Sequence, residues 1–188
     1  MSVEEEIRED GDERVRAAEV ESRRRLALTQ IRQYPDAVLR LSANEVAQFD
    51  GDLVRLADRM AQLMHDARGV GLAATQIGIL QRLFVFQASD EDELRTVVNP
   101  RITARSSATE VADEGCLSLQ GVLVPVERSL EVTLEGADVN GEPLTLALEE
   151  HAARVVQHEV DHLDGVLMLE RTDGESRRRA LALLRRNL

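Results

Sequence analysis

The sequence predicts an α+β fold with a largely antiparallel sheet, because segments typical of strands fill the middle of the chain and segments typical of helices lie towards its ends. Strands and helices do not alternate regularly, as they would around a parallel sheet. At 188 residues, 43% of them hydrophobic, the chain is long enough for one domain with a proper core. Because only 2% of the residues are aromatic, that core must consist mainly of aliphatic side chains.

Four segments are typical of helices. Residues 4–25 are rich in charge and predict either a frayed helix or a disordered segment. A second helix is predicted after Asp50 by apolar residues three and four positions apart, namely Leu53, Leu56, Ala57, Met60, Leu63 and Met64. A third runs from about residue 149 to residue 163, with Gly165 just past its C-terminal end. The last begins near Asp173, a suitable N-cap residue.

Strands are predicted by β-branched and aromatic residues or by apolar residues in alternate positions, at residues 82–86, 94–98, 130–134 and 143–148. Asn99 and Pro100 follow the second of these segments and are expected to end that strand. Asn140 and Gly141 lie between the last two segments and favour a tight turn. The last two strands are therefore expected to form a hairpin.

The predicted third helix contains a pair of histidines suited to binding a metal ion. His158 and His162 are four residues apart, so they share one face of a helix and can converge on one cation. Glu159 lies between them, where a carboxylate can reach a water molecule on that cation without being a ligand. An ordinary amphipathic helix is the alternative, and a catalytic site of this kind needs a third protein ligand.

The third ligand decides the class of enzyme. Metalloproteases with a similar helix use a third histidine six residues after the second, but this chain has Met168 there. His151 lies seven residues before His158, about 10.5 Å along the helix, and is too far away. His65 is not excluded, although it reads as a surface residue. Cys116, the only cysteine, is the better candidate, and a small buried apolar residue is its alternative role.

A glycine-rich segment at residues 69–78 offers a close approach to its backbone and one long amide side chain, Gln76. Its glycine spacing does not match a dinucleotide-binding loop, and no Gly-Lys-Ser/Thr ending indicates a nucleotide phosphate site. A neutral amide N–H donor is suited to stabilising an oxyanion. The alternative is a flexible turn between a helix and a strand.

Together, three motifs resemble peptide deformylases, in which they occur in this order and at this spacing: GVGLAATQ at residues 69–76, EGCLS at 114–118 and QHEVDH at 157–162. The resemblance extends from about Ile31 to about Thr172. It implies a bacterial-type hydrolase that removes the formyl group from the N-terminal methionine of new polypeptides. It also implies mostly antiparallel sheets packed around a central metal-binding helix, with further helices at the N- and C-terminal ends.

The resemblance implies a site with one divalent cation, Fe²⁺ in the cell, at which Zn²⁺, Ni²⁺ or Co²⁺ can also bind. Its implied members are the metal ligands Cys116, His158 and His162, the proton carrier Glu159, the oxyanion donors Gln76 and the Leu117 N–H, and the substrate-binding Gly71. The methionine side chain is expected near Val155 or Val156. Thr75 and Gln120 stand where many family members have proline, and both positions adjoin motif residues.

Three parts of the chain are expected: a charged N-terminal extension at residues 1–28, a deformylase catalytic domain at 29–172 and an Arg-rich C-terminal helix at 173–188. The substrates implied by the resemblance are formyl-methionyl nascent peptides. We expect the Arg-rich helix to offer a ribosome contact, since clustered arginines can follow phosphates. An alternative is a ribosome-associated binding protein that keeps the fold without catalysis, but every expected catalytic group is present.

Composition limits the other classes of partner. The net charge of −12 argues against broad or sequence-specific nucleic-acid binding by the whole surface. No apolar run approaches the length of a membrane span, so no membrane contact is expected. A single cysteine rules out an internal disulfide and fits a reducing compartment. A cytoplasmic location is therefore expected.

Overall fold

Two antiparallel sheets organise the molecule. A computed structural model describes the backbone of residues 3–186 and the side chains of residues 14–186. The strands are β1 (Gly71–Ala73), β2 (Leu83–Phe86), β3 (Arg95–Arg105), β4 (Thr109–Glu114), β5 (Val124–Ser129), β6 (Glu131–Ala137) and β7 (Pro143–Glu149). The larger sheet has the order β1-β2-β3-β6-β7, while β4 and β5 form a separate pair. All of these pairings are antiparallel, which confirms the predicted sheet type.

Helices lie mainly towards the two ends of the chain. They are α1 (Val3–Thr29), α2 (Gly51–Asp66), α3 (Glu150–Leu163), α4 (Met168–Arg171) and α5 (Gly174–Leu184), with short 3₁₀ helices at Ala37–Arg40 and Ala74–Ile77. Asp50 and Asp173 accept backbone N–H hydrogen bonds as the N-caps of α2 and α5. Gly165 has a φ of 73° just beyond α3, a conformation that glycine adopts without strain. The predicted α+β class is confirmed.

The prediction that Asn99 and Pro100 end a strand is wrong, because β3 continues through both residues to Arg105. The pairing of β3 with β6 shifts register between Val98 and Arg101, so Pro100 falls at an irregularity and is not required to donate a ladder hydrogen bond. Asn99 has a φ of 51°, and its side chain exchanges two hydrogen bonds with the backbone of Val46. These contacts allow the strand to bend and continue.

The central position of α3 brings the residues of the candidate site together. Residues 153–163 of this helix are buried with the exception of His158, which is half-buried. Its apolar residues pack with those of β2, β3 and β6, while other contacts reach β1 and β5. The helix is therefore held between the larger sheet and the β4–β5 pair, as the fold class predicts. No helix within residues 3–186 is both long and apolar enough to cross a bilayer.

Candidate active site

Cys116, His158 and His162 converge on one point, although the cysteine lies more than forty residues from the histidines. Cys116 follows β4 directly, and the two histidines lie one turn apart on α3. The Sγ of Cys116 and the Nε2 of His162 are 3.2 Å apart, and the two histidine Nε2 atoms are also 3.2 Å apart. A thiolate and two imidazoles at this separation fit a divalent cation such as Zn²⁺ or Fe²⁺ and leave a fourth position open.

The orientation of the histidines supports this role. Nδ1 of His158 contacts Glu114 Oε2 at 3.0 Å, so Nε2 is the nitrogen that faces the cluster. Burial lowers the pKa of His162 well below its usual value, which keeps its imidazole neutral and able to bind a cation. The other two histidines do not join the cluster: His65 is exposed in the last turn of α2, and His151 is exposed at the start of α3.

A buried ionic network supports the cluster from behind. Arg128 donates two hydrogen bonds to Glu114, at 2.9 and 3.0 Å, and one to Asp161 at 2.6 Å. Arg154 donates to Glu114 at 2.9 Å, and Arg171 donates twice to Asp161. Burial alone would raise the pKa of Glu114, but hydrogen bonds from His158 and Arg128 lower it to about 2. The carboxylate that holds His158 is therefore ionised at neutral pH.

Sequence reasoning missed this network. Glu114 and Asp161 lie inside the motifs but received no role, and their arginine partners lie on three separate elements. One available signal was Arg154, which lies four residues before His158 and so shares its helical face. The other was Arg128, which follows the apolar alternation of β5 and points inward from it. Neither signal could identify the carboxylate that each arginine contacts.

Glu159 is 3% exposed and lines the same cleft as Cys116 and His158. Its Oε2 is buried and has no hydrogen-bond partner within the described residues. Burial raises the pKa of this carboxyl to about 7, with the nearby His158 opposing the rise. A Cβ atom on Gly71 would lie 2.8 Å from the Cδ of Glu159, so the absence of a side chain at Gly71 makes room for this carboxyl group.

The orientation of Gln76 is fixed by the backbone of its own segment. The Ala73 N–H donates to Gln76 Oε1 at 2.8 Å, which leaves the NH₂ end towards the cleft. There Nε2 lies 3.2 Å from Ser118 Oγ and 3.6 Å from Cys116 Sγ. Thr75, where many deformylases have proline, donates from its hydroxyl to the carbonyl of His162 at 3.1 Å. That hydrogen bond joins the glycine-rich segment to α3.

The loop after the cysteine is held by residues from the start of the domain. Gln33 Nε2 donates to the carbonyl of Leu117 at 3.0 Å, and the Tyr34 N–H donates to the carbonyl of Ser118 at 2.8 Å. The Ser118 N–H lies 3.4 Å from Cys116 Sγ, which suits a thiolate. This loop therefore fixes both the sulfur atom and the peptide unit that follows it.

A cleft of about 600 Å³ opens in front of these groups. Its walls include residues 69–71, 115–117 and 120–123, together with residues of α3. Val155 of α3 lines the cleft, whereas Val156 is completely buried in the core. The cleft therefore gives access to Cys116, His158 and Glu159.

Comparisons with known proteins agree with this geometry. Residues 28–178 match the sequence model of the family described as polypeptide deformylase. The chain is 43% identical over 162 residues to peptide deformylase 1 of Corynebacterium glutamicum, which covers 85% of this chain and 96% of that protein. It is 45% identical over 141 residues to the peptide deformylase of Thermotoga neapolitana, covering 75% and 85% respectively.

Solved structures give the same result. The fold is similar to the crystal structure of a peptide deformylase from Legionella pneumophila, with a TM-score of 0.79, 38% identity and coverage of 83% of this chain and 92% of that one. The peptide deformylase from Thermotoga maritima gives a TM-score of 0.74 at 43% identity, covering 76% and 96%. The region matched by the family's sequence model, residues 28–178, includes Cys116, His158, His162 and the glycine-rich segment.

Proposed function

Since this chain belongs to the peptide deformylase family, it is a metal-dependent hydrolase that removes the formyl group from the N-terminal methionine of new polypeptides, and we propose that Cys116, His158 and His162 hold its cation. The observation that supports this ligand set is the convergence of one sulfur and two Nε2 atoms beside Glu159. The alternative of a binding protein without catalysis is not favoured, because each expected group is present at the cleft or in the Cys116–His158–His162 cluster beside it.

We propose Fe²⁺ as the cation in the cell, with Zn²⁺, Ni²⁺ and Co²⁺ also able to bind. The support is the family resemblance together with a donor set that suits several of these metals. When bound, such a cation acts as a Lewis acid, which lowers the pKa of a water molecule and polarises a carbonyl group. Metal analysis of protein purified without oxygen would identify the cation, and a stoichiometry well below one per chain would contradict the proposal.

Glu159 is the proton carrier in this proposal. Glu159 lines the cleft with Cys116 and His158, and its buried Oε2 has no competing partner among the described residues. From that position the carboxylate accepts a proton from the attacking water and later delivers it to the departing amine nitrogen. The same group therefore acts first as a base and then as an acid.

Gln76 and the backbone N–H of Leu117 stabilise the negative charge that develops on the formyl oxygen. Gln76 presents its NH₂ group because its carbonyl oxygen is already occupied by the Ala73 N–H. The Leu117 peptide is held through its carbonyl by Gln33. Donors fixed in advance need no reorganisation during the reaction, and the loss of one typically costs about 10²–10³ in rate.

Gly71 binds the substrate backbone in this proposal. Strand β1 is at the edge of the larger sheet and pairs only with β2. The Val70 carbonyl accepts a hydrogen bond from the Gln87 N–H, so the alternation along a strand directs the Gly71 N–H and C=O away from β2. An extended peptide can pair with these groups in the cleft, where Val155 offers an apolar contact to the methionine side chain.

The direct test is formate release from formyl-Met-Ala-Ser by protein loaded with Fe²⁺ or Ni²⁺ without oxygen. We expect Glu159→Gln to lower kcat by about 10²–10⁴ while the metal content stays at one per chain. Glu135→Gln, an exposed carboxylate on β6, is the matched control and should keep full activity. Full activity in the Glu159→Gln variant would contradict the proposed role.

A ribosome contact through α5 is a further part of the proposal. Ala180 and Leu184 anchor this helix on the body of the protein, while Arg178 and Arg179 remain exposed. Because truncation would uncover the buried cluster beneath α5, a double variant Arg178→Gln/Arg179→Gln is the better probe. We expect weaker co-sedimentation with ribosomes than for Arg55→Gln, an exposed arginine on α2. Equal co-sedimentation of the two variants would reject the docking role.

We also propose a cytoplasmic location. Formylated nascent peptides arise where translation takes place, and a cysteine that serves as a thiolate ligand must stay reduced.

A further inference from the structure

The end of α1 forms part of the active-site cleft. Arg24 and Leu28 of this helix line the cleft together with Cys116, His158 and Glu159. The match to the family model begins at residue 28, so Arg24 lies in the segment before the region that the family shares. This chain therefore adds a wall to the cleft that the family motifs do not provide.

The end of the helix is held in place by a neighbouring face. Ala27 of α1 and Ile31, which follows the helix, are buried in the core that α2 also enters, and Leu28 packs against the same core. Arg24 and Leu28 have the same spacing, so they share a second face, and that face is turned towards the cleft. Because the anchoring residues are almost completely buried, the position of Arg24 at the cleft is defined by packing.

A second arginine lies at the same opening. Arg68 is exposed, lines the cleft and has a φ of 59° at the turn between α2 and β1. Its side chain therefore starts from a turn, not from a regular element, and lines the same cleft as Gly71, which we assign to substrate binding.

The other charged residues around the cleft leave Arg24 and Arg68 available to bind a charged group of a ligand. Arg154 and Glu114 are paired with each other behind the metal cluster, and Glu159 is assigned to proton transfer. Of the remaining lining residues, Asp113 is the one acidic group, against Arg24 and Arg68. Arg24 lies 3.6 Å from Glu21, but both side chains are more than a third exposed, so this pairing is weak and exchangeable.

We propose that Arg24 and Arg68 make this deformylase selective for peptides with an acidic side chain shortly after the formyl-methionine. The inference rests on the proposed function, because it assumes that the peptide runs outwards along β1 from the metal cluster. An aspartate or glutamate at the second or third position of the peptide would then lie between two guanidinium groups. A lysine at the same position would be repelled by both.

The test compares kcat/KM for formyl-Met-Ala-Ser with that for peptides carrying Glu or Lys at the second or the third position. For the unmodified protein we expect the best glutamate peptide to exceed its lysine counterpart by about fivefold or more, since each exposed charge pair contributes roughly two- to fivefold. This preference should decrease as ionic strength rises, because exposed charges are screened.

Substitutions of the two arginines test whether they cause the preference for acidic peptides. Arg24→Gln should lower the ratio of glutamate to lysine rates by about two- to fivefold, and Arg24→Gln/Arg68→Asn should remove most of the remainder. Asparagine is chosen at position 68 because it tolerates a positive φ. Arg25→Gln is the matched control, since Arg25 is exposed on the same helix outside the residues that line the cleft.

Two outcomes would overturn the proposal: equal rates for glutamate and lysine peptides in the unmodified protein, or an unchanged ratio in the double variant. Loss of formate release from every peptide, in protein with one metal per chain, would instead contradict the proposed function. The two failures are therefore distinguishable in the same experiment.

Discussion

At the scale of single residues, Gly71 brings the backbone of β1 against Glu159, the residue to which we assign proton transfer. The sequence resemblance explained this glycine by the approach of a substrate, and the structure adds a second reason. A methyl group at this position would overlap Glu159, whose carboxyl group is packed against the Gly71 backbone. Because Glu159 is buried, it has little room to move aside. Glycine is therefore required here even before a substrate binds.

Gly71→Ala is expected to lower kcat for deformylation by about 10²–10⁴, because displacement of Glu159 removes its contribution to proton transfer. The fold should persist, since β1 is an edge strand and φ at Gly71 is outside the positive range. Formate release and the circular dichroism spectrum would be measured on the same preparation.

Gly51→Ala is the appropriate control for this substitution. Its added Cβ would meet only the far end of the flexible Arg55 side chain, at 3.2 Å. We expect full activity in the control. An active Gly71→Ala protein would show that Glu159 can take another position without loss of function.

At the scale of elements, Arg128 joins three of them. It lies on β5, it is 7% exposed, and it donates to Glu114 at the end of β4 and to Asp161 on α3. Since Glu114 in turn contacts His158, the arrangement of the proposed metal ligands depends on the relative positions of these elements. The network therefore contributes to both the stability and the geometry of the site.

Arg128→Met is expected to destabilise the protein by about 3 kcal/mol. Loss of one partner of a buried ion pair typically costs about 3–5 kcal/mol, and Arg154 and Arg171 still compensate part of the charge left on the carboxylates. The free energy of unfolding would be measured by urea denaturation.

Arg101→Met provides a comparison with an exposed pair. Arg101 contacts Glu45, and the two side chains are 69% and 61% exposed. Removal of such a pair should change the free energy of unfolding by less than about 1 kcal/mol. Equal effects of the two substitutions would show that the Arg128 network contributes no more than a surface ion pair.

The sequence predicted those elements whose pattern is periodic and local. The apolar spacing and the N-cap Asp50 defined α2, and the alternation around Asn140 and Gly141 defined the β6–β7 hairpin. Strand β4 was not predicted because most of its side chains are exposed, which removes the alternation. The extension of β3 through Pro100 was not predictable because it depends on contacts between Asn99 and the distant Val46.

The same distinction applies to the site. The proposed metal ligands could be named because two of them are four residues apart on one helix, and because the motifs around them and around the single cysteine resemble those of peptide deformylases. Their ionic support could not be named, because its hydrogen bonds join positions up to 40 residues apart, such as Arg154 and Glu114. Contacts between residues so far apart produce no regular spacing by which the sequence could reveal them.

At the scale of the whole molecule, the proposed cation site joins the β4–β5 pair to the larger sheet and its helix α3. The two sheets have no strand in common. Cys116 belongs to the loop that follows β4 in the two-stranded sheet, and both histidines belong to α3, which packs on the larger sheet. A cation bound to all three would connect the two parts. It would therefore stabilise the folded protein as well as provide the chemistry.

Removal of the cation is expected to lower Tm by about 5–10 °C. A ligand at 100 times its Kd stabilises the folded state by about 2.7 kcal/mol, and each kcal/mol shifts Tm by about 2–4 °C in a chain of this size. Differential scanning calorimetry of the metal-loaded protein, before and after treatment with a chelator, measures this difference.

Cys116→Ser separates the effect of the cation from other effects of the chelator. Serine keeps the size of the side chain but lacks the thiolate, so its affinity for a cation such as Fe²⁺ should be much lower. The variant should therefore melt close to the chelated protein, with or without chelator. If the unmodified protein also shows no difference, the cation does not join the two parts of the fold, and its role is confined to the reaction.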